Sequence, residues 1–192
     1  MIISTRYIRG MTQNHLIRIR TLIERLAKIT TAVDWQDGLN PAQYNALSYL
    51  ALANRYSRSP SHVADYLCTT RGTASQTLKS LEQKGFIHSV ASATDKRSTT
   101  YQMTDAGQAI ANATHSIDQA IATMDDTEQN KLETTLENAV SHLLAHQNRK
   151  SFGLCHTCIH NETTDNSARC KLLGIALTPE DTQKICQEHS GG

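Results

Sequence analysis

The sequence predicts a mainly α-helical protein with one small β-hairpin and a short cysteine-rich C-terminal tail. Three observations carry that expectation. Aromatic residues make up only 5% of the 192 residues, against 39% apolar residues overall, which favours helices over a sandwich or barrel. Apolar side chains recur at steps of three and four through most of the first 150 positions. Four of the five cysteines follow Lys150. The division expected from these signals is a main domain over 1–150 and a tail over 151–192.

The elements follow in order. Leu16, Ile19, Ile23, Leu26 and Ile29 give one apolar stripe from Asn14 to Trp35. In GLNPAQYNALSYLALAN, Asn40 suits an N-cap and Pro41 the first helical position, where its missing N–H costs nothing. SPSHVADYLCT offers a short helix with Val63, Leu67 and Tyr66 turned inward. TTRGTASQTLKSLEQKG reads as a further helix capped by Thr70 and stopped by Gly85. Its Ala74, Leu78 and Leu81 form an apolar stripe opposite Arg71, Thr73, Ser75, Gln76 and Lys79.

FIHSVAS and STTYQMT are β-prone runs joined by the charged ATDKR, a hairpin pattern. Thr104 then caps a helix whose Ala106, Ile110, Ala113, Ile117 and Ile121 mark one face. After MDDT, a last long helix carries Leu132, Leu136, Val140 and Leu143. KSFG reads as a hinge into the tail.

Charge is near balance, formally +1, but it is uneven. From Arg55 to Tyr101, Arg55, Arg58, Arg71, Lys79, Lys84, Lys96 and Arg97 face only Asp65, Glu82 and Asp95. A locally basic middle points to a polyanion-binding face. No apolar run reaches membrane-spanning length and no signal-peptide pattern opens the chain, so a cytoplasmic protein is expected.

Two short helices followed by a hairpin form a winged helix-turn-helix. The second helix is the element to enter a major groove, with Arg71 in its first turn, Gly72 allowing close approach, and Thr73, Ser75, Gln76 and Lys79 on the same side. The hairpin tip adds Asp95, Lys96 and Arg97, where an arginine held by an aspartate could reach phosphate or the minor groove. The bland alternative is a protein-contact module whose charges are ordinary surface.

Over residues 10 to 148 the chain resembles the MarR-type transcriptional regulators. Three features carry the resemblance: the polar-faced helix ending in Leu81-Glu82-Gln83-Lys84-Gly85, the wing tip Asp95-Lys96-Arg97, and Met103-Thr104-Asp105-Ala106-Gly107 at the next helix. It implies that Asp95 and Arg97 contact double-stranded operator DNA. It also implies a homodimer formed through the first and last helices, flanking the winged helix.

In the tail, Cys155, Cys158, Cys170 and Cys186 form C-x2-C-x11-C-x15-C. Four thiolates match the needs of a tetrahedral metal or an iron–sulfur cluster. Zinc sites often come as two C-x-x-C pairs and only one is present. An iron–sulfur cluster is therefore the expected cofactor and structural zinc the alternative. His156, His160 and His189 are substitute ligands, better read as surface or supporting histidines. LTPEDTQKICQEH reads as a short helix, with Thr178 as cap, that places Cys186 one helical step from His189. Leu172, Leu173, Ile175 and Leu177 would form a small dry lid. Cys68, in the turn before the recognition helix, reads as a small buried filler.

The expected function is that of a dimeric regulator, a repressor in the first instance. Its DNA affinity would depend on the cysteine-bound cofactor, giving redox, iron or stress sensing. The alternative keeps the regulator, with a permanent zinc site and a small-molecule effector. A cluster-bearing electron-transfer enzyme ranks last, because no catalytic constellation accompanies the cysteines.

Overall fold

The computed structural model describes residues 13–33, 38–91, 99–164 and 167–191. The chain divides into two units, Met1–Gly38 with Thr114–Thr123, and Leu39–Ala113 with Met124–Gly192.

In the first unit, α1 (Gln13–Val33) contacts the short α6 (Ser116–Ile121). The α1 stripe of Leu16, Ile19, Ile23, Leu26 and Ile29 is periodic as expected, but each of these side chains is exposed within the monomer.

The second unit holds the winged helix. Helix α2 (Pro41–Leu52) starts at Asn40, whose side chain accepts the Gln43 N–H at 2.9 Å while Gln43 Oε1 accepts the Asn40 N–H at 3.1 Å. That is a reciprocal cap with proline at the first position. α2 is central: Ala46, Leu47, Tyr49 and Leu50 are all buried. Around it pack Val63 and Ala64 of α3 (Pro60–Tyr66) and Ala74, Leu78 and Leu81 of α4 (Arg71–Gln83). Ile87 of β1 (Ile87–Ala91) and Tyr101 of β2 (Thr99–Met103) close the core. β1 and β2 are antiparallel, with Ile87 opposite Met103 and Ala91 opposite Thr99.

Thr104 caps α5 (Asp105–Ala111), accepting the Gly107 N–H at 3.1 Å and donating to Gly85 O at 2.8 Å. A Cβ on Gly107 would lie 2.1 Å from Phe86 O. The Thr-x-x-Gly pattern is thus a steric requirement for seating α5 on the turn between α4 and β1. A single helix is expected onward from Thr104. The structure ends it at Asn112 and starts α6 anew, with Asp118 accepting the His115 N–H at 2.9 Å. Asn, Thr and His at 112, 114 and 115 are indifferent helix formers, and a local cap competes with continuation.

Helix α7 (Asp126–His146) opens on a reciprocal Asp125–Glu128 cap and leaves Leu136, Val140 and Leu143 exposed.

The tail is a set of short antiparallel strands. β3 (Gly153–Leu154) pairs with β7 (Ile185–Cys186), and β4 (Asn161–Thr164), β5 (Ser167–Cys170) and β6 (Ile175–Leu177) form a second sheet in that order. α8 (Pro179–Thr182) begins at Thr178 as expected, but ends at Gln183. Cys186 therefore lies on a strand opposite Gly153, and its relation to His189 is not a helical step.

Candidate nucleic-acid interface and thiol cluster

α4 presents its polar side as one surface. Arg71, Gly72, Thr73, Gln76 and Lys79 are exposed and Ser75 is half-buried, while Ala74, Leu78 and Leu81 lie inside. The Thr70 hydroxyl accepts the Thr73 N–H at 3.1 Å, fixing the first turn. At Gly72 a Cβ would meet nothing nearer than Thr70 Oγ1 at 3.9 Å, so the fold does not demand glycine there.

The helix is held from two sides. Gln43 Nε2 donates to Ser80 Oγ at 2.8 Å, and Lys84 Nζ donates to Gln43 Oε1 at 2.9 Å. Glu82 accepts the Ser89 N–H at 2.7 Å, tying α4 to the wing, and hydrogen bonds from the Ser89 side chain first and its backbone second hold the Glu82 carboxyl below the usual range. Asp95, Lys96 and Arg97 of the wing tip lie outside the described residues.

Residues 37–98 match the sequence model of the MarR family. Comparison with curated proteins gives no match. Solved structures match the MarR-like fold. Streptococcus pneumoniae FabT in complex with DNA aligns with a TM-score of 0.54 at 21% identity, over 68% of this chain and 96% of that chain. The Staphylococcus aureus MepR–DNA complex aligns with a TM-score of 0.50 at 22% identity, over 69% of this chain and 99% of that one. MepR, described as a transcription regulator of the S. aureus multidrug efflux pump MepA, aligns equally well at 21% identity over the same shares. At these identities the likeness is one of fold. The helices α2 to α4 of the MarR-like segment also bound a cavity of about 220 Å³, lined by Ala42, Asn45, Leu67, Thr69, Thr73 and Thr77 among others.

The second candidate site is the thiol cluster. Cys155, Cys170 and Cys186 are buried together with Leu177, and Cys158 is half-buried. Each is placed by backbone. Cys155 opens a 3₁₀ turn and donates its N–H to Lys184 O at 3.0 Å; Cys158 N–H returns to Cys155 O at 3.2 Å. Cys170 ends β5, its carbonyl accepting the Gly174 N–H at 2.9 Å. The Ser190 N–H points at Cys158 Sγ at 3.4 Å.

Burial, with Cys186, Cys170 and Cys158 nearby, pushes the Cys155 thiol up to about 12. A bound cation would invert that preference by stabilising thiolate. Among the described residues, no three His, Cys, Asp or Glu side chains are arranged as they stand to hold a metal ion. The donor types nonetheless suit a soft metal: three cysteines buried together with Leu177, and a fourth, half-buried Cys158, with a backbone N–H aimed at its sulfur.

His156 Nδ1 lies 3.2 Å from Thr182 O. His189 is more constrained. Thr157 Oγ1 donates to Leu154 O at 2.9 Å, so His189 Nε2, 2.9 Å from the same hydroxyl, is the donor to it. Its Nδ1 is then an unprotonated, buried nitrogen without a hydrogen-bond partner among the described residues. The ring lies on Gly153, where a Cβ would come within 2.5 Å of Nδ1.

Two expectations need correction. Cys68 is exposed. It follows the α3 cap with φ 53° while Thr69 N–H reaches back to Ala64 O at 2.9 Å, and this left-handed turn swings it off the buried face. The expected lid is also smaller: Leu177 is buried and Ile175 partly so, but Leu172 and Leu173 are exposed.

The tail rests on contacts that its sequence does not announce. Phe152, in the expected hinge, packs edge-on against Tyr49 at 6.1 Å and Tyr66 at 5.3 Å. Arg55 pairs with Asp181 at 3.1 Å, and Tyr56 donates to Ala176 O at 3.4 Å. An aromatic in a glycine-flanked junction was the available signal.

Proposed function

We propose that the chain is a homodimeric, DNA-binding transcription regulator, a repressor in the first instance, with a cysteine-ligated metal group in its tail. The observation that carries the DNA reading is α4: one uninterrupted polar surface bearing Arg71, Gln76 and Lys79, with a glycine the fold does not require. Glycine inside a helix costs about 1 kcal/mol relative to alanine, and close approach to base edges offsets that cost. That FabT and MepR were solved as DNA complexes supports the same reading. Asp95 and Arg97 would complete the interface from the wing. A second copy of the chain would cover the exposed stripes of α1 and α7.

Cys155, Cys158, Cys170 and Cys186 would hold the metal group, an iron–sulfur cluster in this reading. Such a group would supply a state that changes with redox conditions or iron supply. The second reading, zinc as a permanent staple with a small neutral effector, draws on the cavity between α2, α3 and α4.

Gel-shift titration with duplexes selected from a random pool, at two salt concentrations, tests the DNA reading. Affinity should fall steeply with salt; no selected sequence, or salt-independent binding, overturns it. Metal and sulfide analysis of anaerobically purified protein tests the tail. Iron with sulfide supports the cluster, one zinc per chain the second reading, and neither metal removes both.

A further inference from the structure

Besides the Phe152 contacts with Tyr49 and Tyr66, the tail meets the winged helix at the connection between α2 and α3. Ile185 forms a parallel bridge with Ala53, and its carbonyl accepts the Asn54 N–H at 2.9 Å. Two residues on, the Gln187 N–H donates to Ser57 Oγ at 2.9 Å in a fully buried bond. Cys186 lies between these two anchors, so the strand that carries a cluster thiol is the strand that grips residues 53–57.

That connection is in turn the seat of the reading elements. The Ser57 carbonyl accepts the Tyr49 hydroxyl at 2.6 Å inside the core. Arg58 Nε donates to Ala53 O at 3.0 Å, closing the loop, and Arg58 O accepts the Tyr101 N–H of wing strand β2 at 3.1 Å. Ser59 caps α3, accepting the His62 N–H at 3.3 Å. Asn54 and Ser57, each 1% exposed, are polar residues whose burial is tolerable only while these bonds persist.

We infer that β7 is a clamp through which the state of the thiol cluster sets the position of the wing and α3. With the cluster intact, Ile185 and Gln187 fix residues 53–58 and so the β2 and α3 anchors. With the cluster disrupted, β7 releases them and DNA affinity falls. This rests on the DNA-binding reading above, and it routes the coupling through the reading head of each subunit rather than through the spacing of a dimer.

Amide hydrogen exchange on the full-length chain tests it. Cys170→Ser removes a cluster thiol from β5, a strand other than the clamp. It should speed exchange at least tenfold at Asn54, Gln187 and Tyr101, while Leu81 in α4 stays as in the wild type. DNA affinity should fall about tenfold with it. Ser57→Ala, with all thiols kept, removes the acceptor of the Gln187 N–H and should reproduce the loss of affinity.

Faster exchange confined to 153–191, with Asn54 and Tyr101 unchanged, overturns the clamp. So does a folded Ser57→Ala chain that binds DNA as the wild type does. If the wild type itself binds no DNA, the functional reading falls, and exchange at Asn54 and Tyr101 still decides the clamp.

Discussion

Asp181 and Arg55 bind the tail to the winged helix by an ion pair of 3.1 Å in which the carboxylate is buried and the guanidinium half-exposed. The carboxylate also accepts the Thr178 N–H at 3.0 Å and the Thr178 hydroxyl at 2.9 Å, while Thr178 Oγ1 accepts the Asp181 N–H at 3.1 Å. The two ends of the pair therefore have unequal weight. Asp181→Ala removes a cap and a buried acceptor together and is expected to cost about 1–3 kcal/mol. Arg55→Ala should cost less than about 1 kcal/mol, because its end of the pair is screened by solvent. Urea unfolding of both variants checks the ordering.

Two glycines should respond in opposite ways to alanine. Gly107→Ala drives a Cβ into the Phe86 carbonyl, and no flexible side chain is there to yield. A loss of at least about 2 kcal/mol is expected, read as a lower urea midpoint. Gly72→Ala meets nothing nearer than Thr70 Oγ1 at 3.9 Å, an ordinary contact, and should gain up to about 1 kcal/mol from helix propensity. In the proposed interface the same methyl obstructs the approach to DNA, so that variant should be more stable and bind less tightly.

The winged helix was legible because its signals are local. Asn40-Pro41, Thr70 and Thr104 are caps that work within one turn, and Ala74, Leu78 and Leu81 fall inside as their spacing requires. The break at Asn112–His115 was not legible, since neither glycine nor proline marks it. The placement of the tail was not legible. The fold buries Cys155, Cys170 and Cys186 together, and nothing in their spacing says that Ile185 bridges Ala53 or that Phe152 meets Tyr49. Such pairings depend on surfaces formed only once both parts have folded. Cys68 misled for a related reason: residue type favoured burial, and a left-handed backbone decided otherwise.

The α4 surface makes a quantitative claim about salt. Lys79→Ala should weaken binding to all duplexes alike and reduce the slope of log affinity against log salt by about 0.9, the share of one phosphate. Arg71→Ala, in the first turn, should also relax base preference, by about 1–3 kcal/mol at the base pair it reads. An unchanged slope in Lys79→Ala would place that lysine off the interface. Both side chains are exposed, so thermal unfolding should stay near the wild type and separate binding from folding.

His62 gives the tail contact a pH dependence. Its Nδ1 is buried without a hydrogen-bond partner among the described residues, and burial first, then Lys150, holds its pKa below the ordinary 6.5, against Glu188, Asp65 and a backbone bond at Ser57. A histidine depressed in this way is neutral in the folded chain and takes up a proton more readily when unfolded. The stability it contributes is complete above about pH 6.5 and is lost as pH falls through that value toward the folded pKa. His189 is depressed by burial in the same direction, so the wild type alone would not isolate His62. Melting temperatures at pH 7.5 and 5.5 should fall further in the wild type than in His62→Gln, which keeps polarity without the titration. Carboxylates such as Glu82 and Glu180, held below their usual range, lose their contribution only at lower pH. An equal fall in both proteins would mean that protonated His62 is accommodated in the fold.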